Sequence, residues 1–305
     1  NESVAILWDT DTDGATSGAI MTRYLQYFID YPVVSFIDEG KMHGLKNQDL
    51  DKFKSFDLLI IVDSLDENEK QYKELSEIGV DIIILDHHAI KTEVPYDEYT
   101  ILVSSQRFYR NPQLSGAGVV WKFCKYLDKR FETDYADKLI DLAACGIVAD
   151  MMDMTVMENR YIVYQGLQKI YNPAIKKIVG GFQFNSTAIS FSIAPIINAA
   201  NRMGQNETVI KAFLADENKT VLKYIKELKK CKEEQNNEVN KLMPSVIAQC
   251  ESQLDKKMTT VIIDTPYGVA GLIGNKLLEK YQKPILVLKD AGDKYSGSMR
   301  AIGVD

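Results

Sequence analysis

The sequence predicts an α/β protein: a parallel sheet covered by helices, then a mostly helical part, a long connecting helix and a smaller second α/β unit. Three observations carry this reading. Short apolar runs at residues 4–7, 33–37, 58–62, 82–85 and 101–103 alternate with amphipathic stretches such as 15–28 and 67–78. Such near-continuous apolar runs suit strands buried on both faces, with helices as crossovers. From about 118 to 201 the periodicity becomes mostly helical, clearest at 134–148 and 158–170. A polar segment comes next, and strand–helix–strand periodicity then returns at 259–263, 268–281 and 285–288.

Within the polar segment, Tyr224, Leu228, Cys231, Val239, Leu242 and Val246 are spaced by three, four or a multiple. Residues 206–250 hold eight lysines against seven acidic residues, so the opposite face is solvated, as on a helix bridging two domains. Pro244 should kink or end that helix. The expected organisation is therefore a first domain at 1–205, a connecting helix at 206–250 and a small domain at 251–305.

Composition excludes several classes. With 305 residues, 46% hydrophobic and 26% charged, the chain is an ordinary globular protein long enough for two domains, and not a disordered one. Cys124, Cys145, Cys231 and Cys250 lie far apart, with neither CxxC spacing nor the density of a disulfide framework. That suits a reducing cytoplasm. Neither a signal peptide nor a membrane-spanning apolar run is evident. The chain opens on Asn1 rather than Met, as a trimmed chain does. A net charge of −7 argues against a surface that grips phosphates everywhere, but a cluster of metal-binding carboxylates contributes negative charge that cations cancel.

The stretch Ala5 to Met21, AILWDTDTDGATSGAIM, opens like a calcium-binding EF-hand loop. The twelfth loop position, where that motif needs a bidentate Glu, is Ile20, and the apolar run before Asp9 reads as a strand where a helix is required. It is a strand, an acidic turn and a helix.

In open α/β sheets, ligands bind beyond the carboxyl ends of the strands. Asp9, Asp11 and Asp13 come after the first run, Asp63 and Ser64 after the third, and Asp86, His87 and His88 after the fourth; Asp150 comes after a long apolar helical stretch. A lone acidic turn is more often a helix cap, but three strand ends carrying such groups point to a metal site. Hard oxygen ligands with one or two imidazoles suit Mn²⁺ or Mg²⁺, and two such ions can clamp the attacking and leaving oxygens of a phosphoester. His43, in GKMHGLK, suits the cleft mouth or a structural loop equally; Asp66 and Asp153 are expected to face solvent.

The stretches DTDTDGATSG, VDS, LDHHA and GIVADMMDM are similar, in that order, to the four motifs of the DHH phosphoesterase superfamily. LSGAGVVWKF, MENRYIVYQGL and IAPIINAANRMG narrow the resemblance to the RecJ family of single-strand-specific 5′ to 3′ exonucleases, with Asn201 where that pattern has glycine. GVAGLIGNKLLEKYQKPILVL and GSMR resemble the DHHA1 domain that comes after a connecting helix. The sequence stops at Asp305, before the glycine-rich motif that completes such a domain and before an OB-fold, so an incomplete DHHA1-like domain is expected.

The resemblance implies two divalent ions shared by Asp9, Asp11, Asp13, Asp63, His87 and Asp150, with Asp63 bridging. It makes Asp11, Asp63 and His88 the catalytic residues, His88 contacting the scissile phosphate. It makes Ser298 and Arg300, then Asn198 and Arg202, then Asn159 and Arg160, the candidates for strand contact. It implies single-stranded DNA as partner, with a helicase or single-strand binding protein beside it, and no membrane. Two other readings stand: a DHH phosphoesterase of short oligoribonucleotides or cyclic dinucleotides, and a non-catalytic replication scaffold. Scaffolds of that kind lose metal ligands, and this sequence keeps them.

Overall fold

The structure, a computed structural model, describes residues 3–38, 43–46, 48–66, 69–90, 100–290, 292 and 294–302. The chain folds as two compact units, one drawn from residues 1–198 and 206–227, the other from 199–205 and 228–305.

In the first unit, β1 (Val4–Trp8), β2 (Val33–Ile37), β3 (Leu58–Val62), β4 (Asp81–Asp86) and β5 (Ile101–Ser104) form one parallel sheet in the order β2-β1-β3-β4-β5. All five residues of β1 are buried, as a central strand covered on both faces requires. Ala5, Leu7, Leu59, Ile61, Ile82 and Ile84 share one face with Phe53 and with Tyr72 and Leu75 of α2 (Glu69–Glu77). The alternate residues, among them Ile6 and Trp8, face the side where α1 (Thr12–Phe28) packs on β1. The chain steps from β1 to β2 on one side and returns to β3 on the other, so strand order reverses between β1 and β3, where the crevice of such sheets opens.

Register decides what lines that crevice. Trp8 pairs with both Ile37 and Val62, and Val62 pairs with Leu85. The next residue on each strand is an aspartate, so Asp38, Asp9, Asp63 and Asp86 stand level along one sheet edge.

The helical part contains α3 (Gly116–Phe131), α4 (Ile140–Ala149), α5 (Met157–Gly166) and α6 (Pro173–Val179). It continues through α7 (Ser186–Ala188), a wide helical turn at Ile189–Ile193, α8 (Ala194–Arg202) and α9 (Asn206–Leu214). α1 packs on α3 and α4. α4 is buried almost all round, and its Asp141 carboxylate accepts from the backbone N–H groups of Tyr171, Asn172 and Leu142 at 2.7–3.0 Å. Those bonds favour the ionised form against burial, which pushes the Asp141 carboxyl up to about 6.

The segment expected as one connecting helix at 206–250 is two helices, α9 and α10 (Asn218–Glu251). α9 buries Val209, Ala212 and Phe213 in the first unit, which fixes its direction before the chain turns into α10. Pro244 does not end α10. An interior proline costs about 3 kcal/mol, but Val239, Val246 and Cys250 on either side of it are buried in the second unit's core and hold the helix together there. That core is completed by β6 (Thr259–Ile263), α11 (Ala270–Tyr281) and β7 (Ile285–Asp290). β6 and β7 pair in parallel, and β8 (Tyr295–Arg300) pairs antiparallel with β7. The four cysteines are free and buried. Among the described residues no helix is long and apolar enough to cross a membrane.

Candidate metal centre

Asp9 leaves β1 buried, and Asp11 caps α1 by accepting from the Gly14 N–H at 3.0 Å. Asp13, in the first turn of α1, is 2% exposed. Its Oδ2 accepts from the Gly116 N–H at 2.7 Å and its Oδ1 from the Ala117 N–H at 3.0 Å, so the free amides at the start of α3 grip both oxygens. Burial, with the charge of Asp11 adding to it, still pushes the Asp13 carboxyl up to about 6.

Asp63 comes directly after β3 with φ 56°, a left-handed conformation that costs a non-glycine residue on the order of 1–3 kcal/mol. Its side chain is 2% exposed, and its Oδ1 is enclosed with no hydrogen-bond donor. Burial, and after it the charges of Asp13, Asp86, Asp11 and Asp9, raise its carboxyl well above the ordinary range. An enclosed, unpartnered carboxylate oxygen held by a strained backbone is suited to ligate a cation.

The Nε2 of His87 lies 3.2 Å from Asp63 Oδ1, 3.6 Å from Asp150 Oδ2 and 3.8 Å from Asp13 Oδ2. One nitrogen thus faces three carboxylates from three parts of the chain. Asp150 sits at the end of α4, its carboxyl raised by burial and then by Asp13. Ligand atoms of Asp13, His87 and Asp150 lie within 4.8 Å of one another, as do those of Asp9, Asp11 and Asp63. These oxygen-rich sets with one imidazole fit hard divalent ions.

Two glycines make room for this. A Cβ on Gly146 of α4 would run into Asp13 Oδ1, and one on Gly116 into Asp63 Oδ1.

Asp86 is fully buried and takes no place in the ligand sets. Its Oδ1 lies 2.9 Å from His88 Nδ1 and its Oδ2 accepts from the Leu65 N–H at 2.7 Å. The contact with His88, more than any other influence, pushes that imidazole up to about 9. Asp38 is a site residue the motifs do not mark, although it ends β2 just as Asp9 ends β1. It accepts from Ser64 Oγ and from Gln48 Nε2, and Ser64 Oγ accepts from the Gly44 N–H at 2.8 Å. His43, beside that glycine, has Nδ1 3.5 Å from Asp9 Oδ1, and Asp9, Asp38 and His43 form another group with metal-ligand spacing. Asp153 is exposed, as expected. Asp66 is half-buried and accepts from the Lys46 N–H at 2.9 Å, so it braces this turn instead of facing solvent.

The strand-contact candidates divide. Asn198 accepts from Thr12 Oγ1 at 3.0 Å, which places it at the start of α1 between Asp11 and Asp13. Arg160 is exposed on α5. Asn159 is a correction: it is fully buried, and its Nδ2 donates to the carbonyls of Gln113 at 2.6 Å and Asp153 at 3.0 Å, while its Oδ1 accepts from Asn111. It has no group left for a phosphate. In the second unit, Arg300 Nη1 donates to Ser298 Oγ at 2.6 Å and its Nε to Asn275 Oδ1 at 2.7 Å. Arg202 is partly buried, its charged form disfavoured by burial and then by Arg300.

Residues 3–147 match the DHH family, N-terminal domain. This segment is a DHH-family domain. A putative SPbeta prophage-derived single-strand DNA-specific exonuclease from Bacillus subtilis is 29% identical over 341 residues, covering 96% of this chain and 56% of that protein. The single-stranded-DNA-specific exonuclease RecJ of the same organism is 28% identical over 320 residues, covering 99% of this chain and 40% of that protein. The chain thus spans about half the length of these relatives. A RecJ structure bound to manganese superposes with a TM-score of 0.85 at 24% identity, over 99% of this chain and 78% of that one. RecJ from Thermus thermophilus in complex with Mn²⁺ does so at 0.84 and 23% identity, over 99% and 45%. The DHH domain and the small second unit therefore share the RecJ fold.

Proposed function

We infer that this chain carries the metal-dependent core of an exonuclease that hydrolyses single-stranded DNA from its 5′ end. The observation that carries the reading is the His87 nitrogen facing carboxylates of α1, the β3 end and α4, with Asp63 Oδ1 enclosed among them and accepting no hydrogen bond. Relatives named as single-strand DNA-specific exonucleases support the substrate class.

On this reading Asp9, Asp11, Asp13, Asp63, His87 and Asp150 would hold two divalent ions, Mn²⁺ or Mg²⁺. When bound, such ions lower the pKa of water and stabilise charge on the attacking and leaving oxygens. The protein's own part is positioning. The α3 amides keep the Asp13 carboxylate from rotating. Asp86 occupies the Nδ1 side of His88 and keeps the ring charged at neutral pH, leaving Nε2 to donate to a phosphate oxygen. In the second unit, Ser298, Arg300 and Arg202 offer a hydroxyl and two guanidiniums to the terminal phosphate. A helicase or single-strand binding protein would supply and present such strands.

The test is a labelled 5′-phosphorylated single strand, a duplex and a short oligoribonucleotide, each incubated with Mn²⁺ beside Asp63→Ala. Shortening of the single strand alone, from its 5′ end and abolished by the substitution, is the expected result. Hydrolysis of the oligoribonucleotide or of a cyclic dinucleotide while the DNA strand survives would keep the centre and overturn the substrate.

A further inference from the structure

The second unit brings cations close enough to act on one another. Besides Arg202 and Arg300 it holds Lys232 on α10 and Lys276 on α11. Lys232 is half-buried; burial first, then Arg202 and also Lys276, disfavour its charged form. Among the described residues none of these four cations forms a salt bridge, and Lys232 Nζ donates only to the neutral Gln235 at 2.7 Å. Arg202 and Lys232 are partly desolvated and repelled by neighbouring cations, Lys276 is exposed, and an anion shared with them would offset that cost.

The geometry supplies the space. Lys232, Asn236, Asn240, Leu272, Asn275 and Lys276 line a groove of about 480 Å³ between α10 and α11, within the size range of small-ligand sites. Leu272 and the neighbouring Val239 give it apolar wall, the three amides give donors and acceptors, and the two ammoniums give charge. Asn275 ties the groove to the arginine: its Oδ1 accepts from Arg300 Nε, and its Nδ2 hydrogens remain for a ligand.

We propose that this groove is a second anion subsite, which takes a phosphate with its nucleoside from the same strand whose terminal phosphate is read as held by Ser298 and Arg300. It rests on that reading for the identity of the ligand. The ammoniums meet phosphate as point charges, the amides pair with base edges, and the apolar wall takes the sugar or base face.

Binding of a 5′-phosphorylated oligothymidylate is measured by fluorescence anisotropy in EDTA, where no cleavage occurs, across a salt series. The variants are the Lys232→Gln/Lys276→Gln pair, the charge-keeping Lys232→Arg/Lys276→Arg pair, and Lys256→Gln/Lys257→Gln as a charge-matched control elsewhere in the unit. Each phosphate neutralised contributes about 0.7 to the slope of log K against log salt on a single strand, so losing the one phosphate of this groove in the glutamine pair should lower the slope by about 0.7 and affinity by about 5-fold at roughly 0.1 M salt. That loss, with the arginine pair and the control near wild type, supports the subsite. An unchanged slope, an equal loss in the control, or a wild-type protein that does not bind the strand overturns it. Cleavage with Mn²⁺ by the same wild-type preparation is read separately. If the strand is cut while the glutamine pair binds normally, only the groove falls; if binding is lost as expected while nothing is cut, the nuclease reading falls and the anion subsite stands.

Discussion

Removing divalent ions should cost the first unit more stability at about pH 7.5 than at about pH 4.5, and Asp13 sets the size of the difference. Its carboxyl is pushed from 3.8 to about 6. A carboxyl whose folded pKa is raised destabilises the fold only where it is ionised: the penalty is absent below the unfolded pKa and complete above the folded one. A rise from 3.8 to about 6 corresponds to about 3 kcal/mol, of which about a third is already present at about pH 4.5, leaving about 2 kcal/mol between the two pH values. A bound cation cancels that penalty by supplying the counter-charge. Asp11, Asp63 and Asp150 are raised as well and add in the same direction. Asp141, also raised to about 6 but surrounded by backbone N–H groups rather than by other carboxylates, keeps its share with or without metal. The assay is urea unfolding followed by tryptophan fluorescence with EDTA or Mn²⁺ at each pH; Trp8 and Trp121 are the only tryptophans and both lie in the first unit, so the signal reports the unit in question. A metal increment that is the same within about 1 kcal/mol at both pH values would refute the argument that these carboxylates are raised by crowding around a cation position.

Three further outcomes rest on single contacts. Gly146→Ala drives a methyl group into Asp13 Oδ1, so the protein should lose about 1–3 kcal/mol of stability from overpacking and about 10- to 100-fold in Mn²⁺ affinity, measured by calorimetry. Asp86→Asn removes the carboxylate that holds His88 charged; cleavage should fall about a hundredfold, and the alkaline limb of the rate profile, placed by His88 near 9, should move towards the ordinary imidazole range. An unchanged limb would separate His88 from the chemistry. Asn159→Ala strands the carbonyls of Gln113 and Asp153 and should cost about 2–3 kcal/mol of folding stability while leaving the rate at low temperature near wild type, the opposite of what a phosphate contact predicts.

The sheet and its acidic edge were legible because buried parallel strands announce themselves as apolar runs, and register then aligns the residues just past their ends. Asp9, Asp63 and Asp86–His87–His88 stand where the strand ends placed them. Asp38 carries the same signal after β2, but no motif marks it. Other features are set by contacts distant in sequence. The α3 amides that grip Asp13 are 103 and 104 residues away, and nothing local in either segment encodes the meeting. Asn159 and Arg160 are adjacent in sequence, yet a helix turns about 100° per residue, so one side chain is buried and the other exposed. Pro244 reads as a helix terminator by local rule, and the apolar residues flanking it, buried in a core whose β-strands lie downstream, override that rule.

Asp13 joins these threads. It begins α1, its two oxygens close the start of α3, and its Oδ2 also faces His87 beyond β4. The sheet edge and the helical part therefore meet at one carboxylate, with no slack between them. A cation that bonds to Asp13 acts on the packing of α1 against α3 as well as on its own ligands, because the carboxylate cannot shift without releasing two amides at a buried helix start. On the proposed reading, metal occupancy and the docking of the helical part onto the sheet would be coupled through this side chain. Hydrogen exchange gives this a direct reading: the amides of Gly116 and Ala117 should gain protection on adding Mn²⁺, whereas the N–H groups of Tyr171 and Asn172, held by Asp141, should change only as much as the unit as a whole.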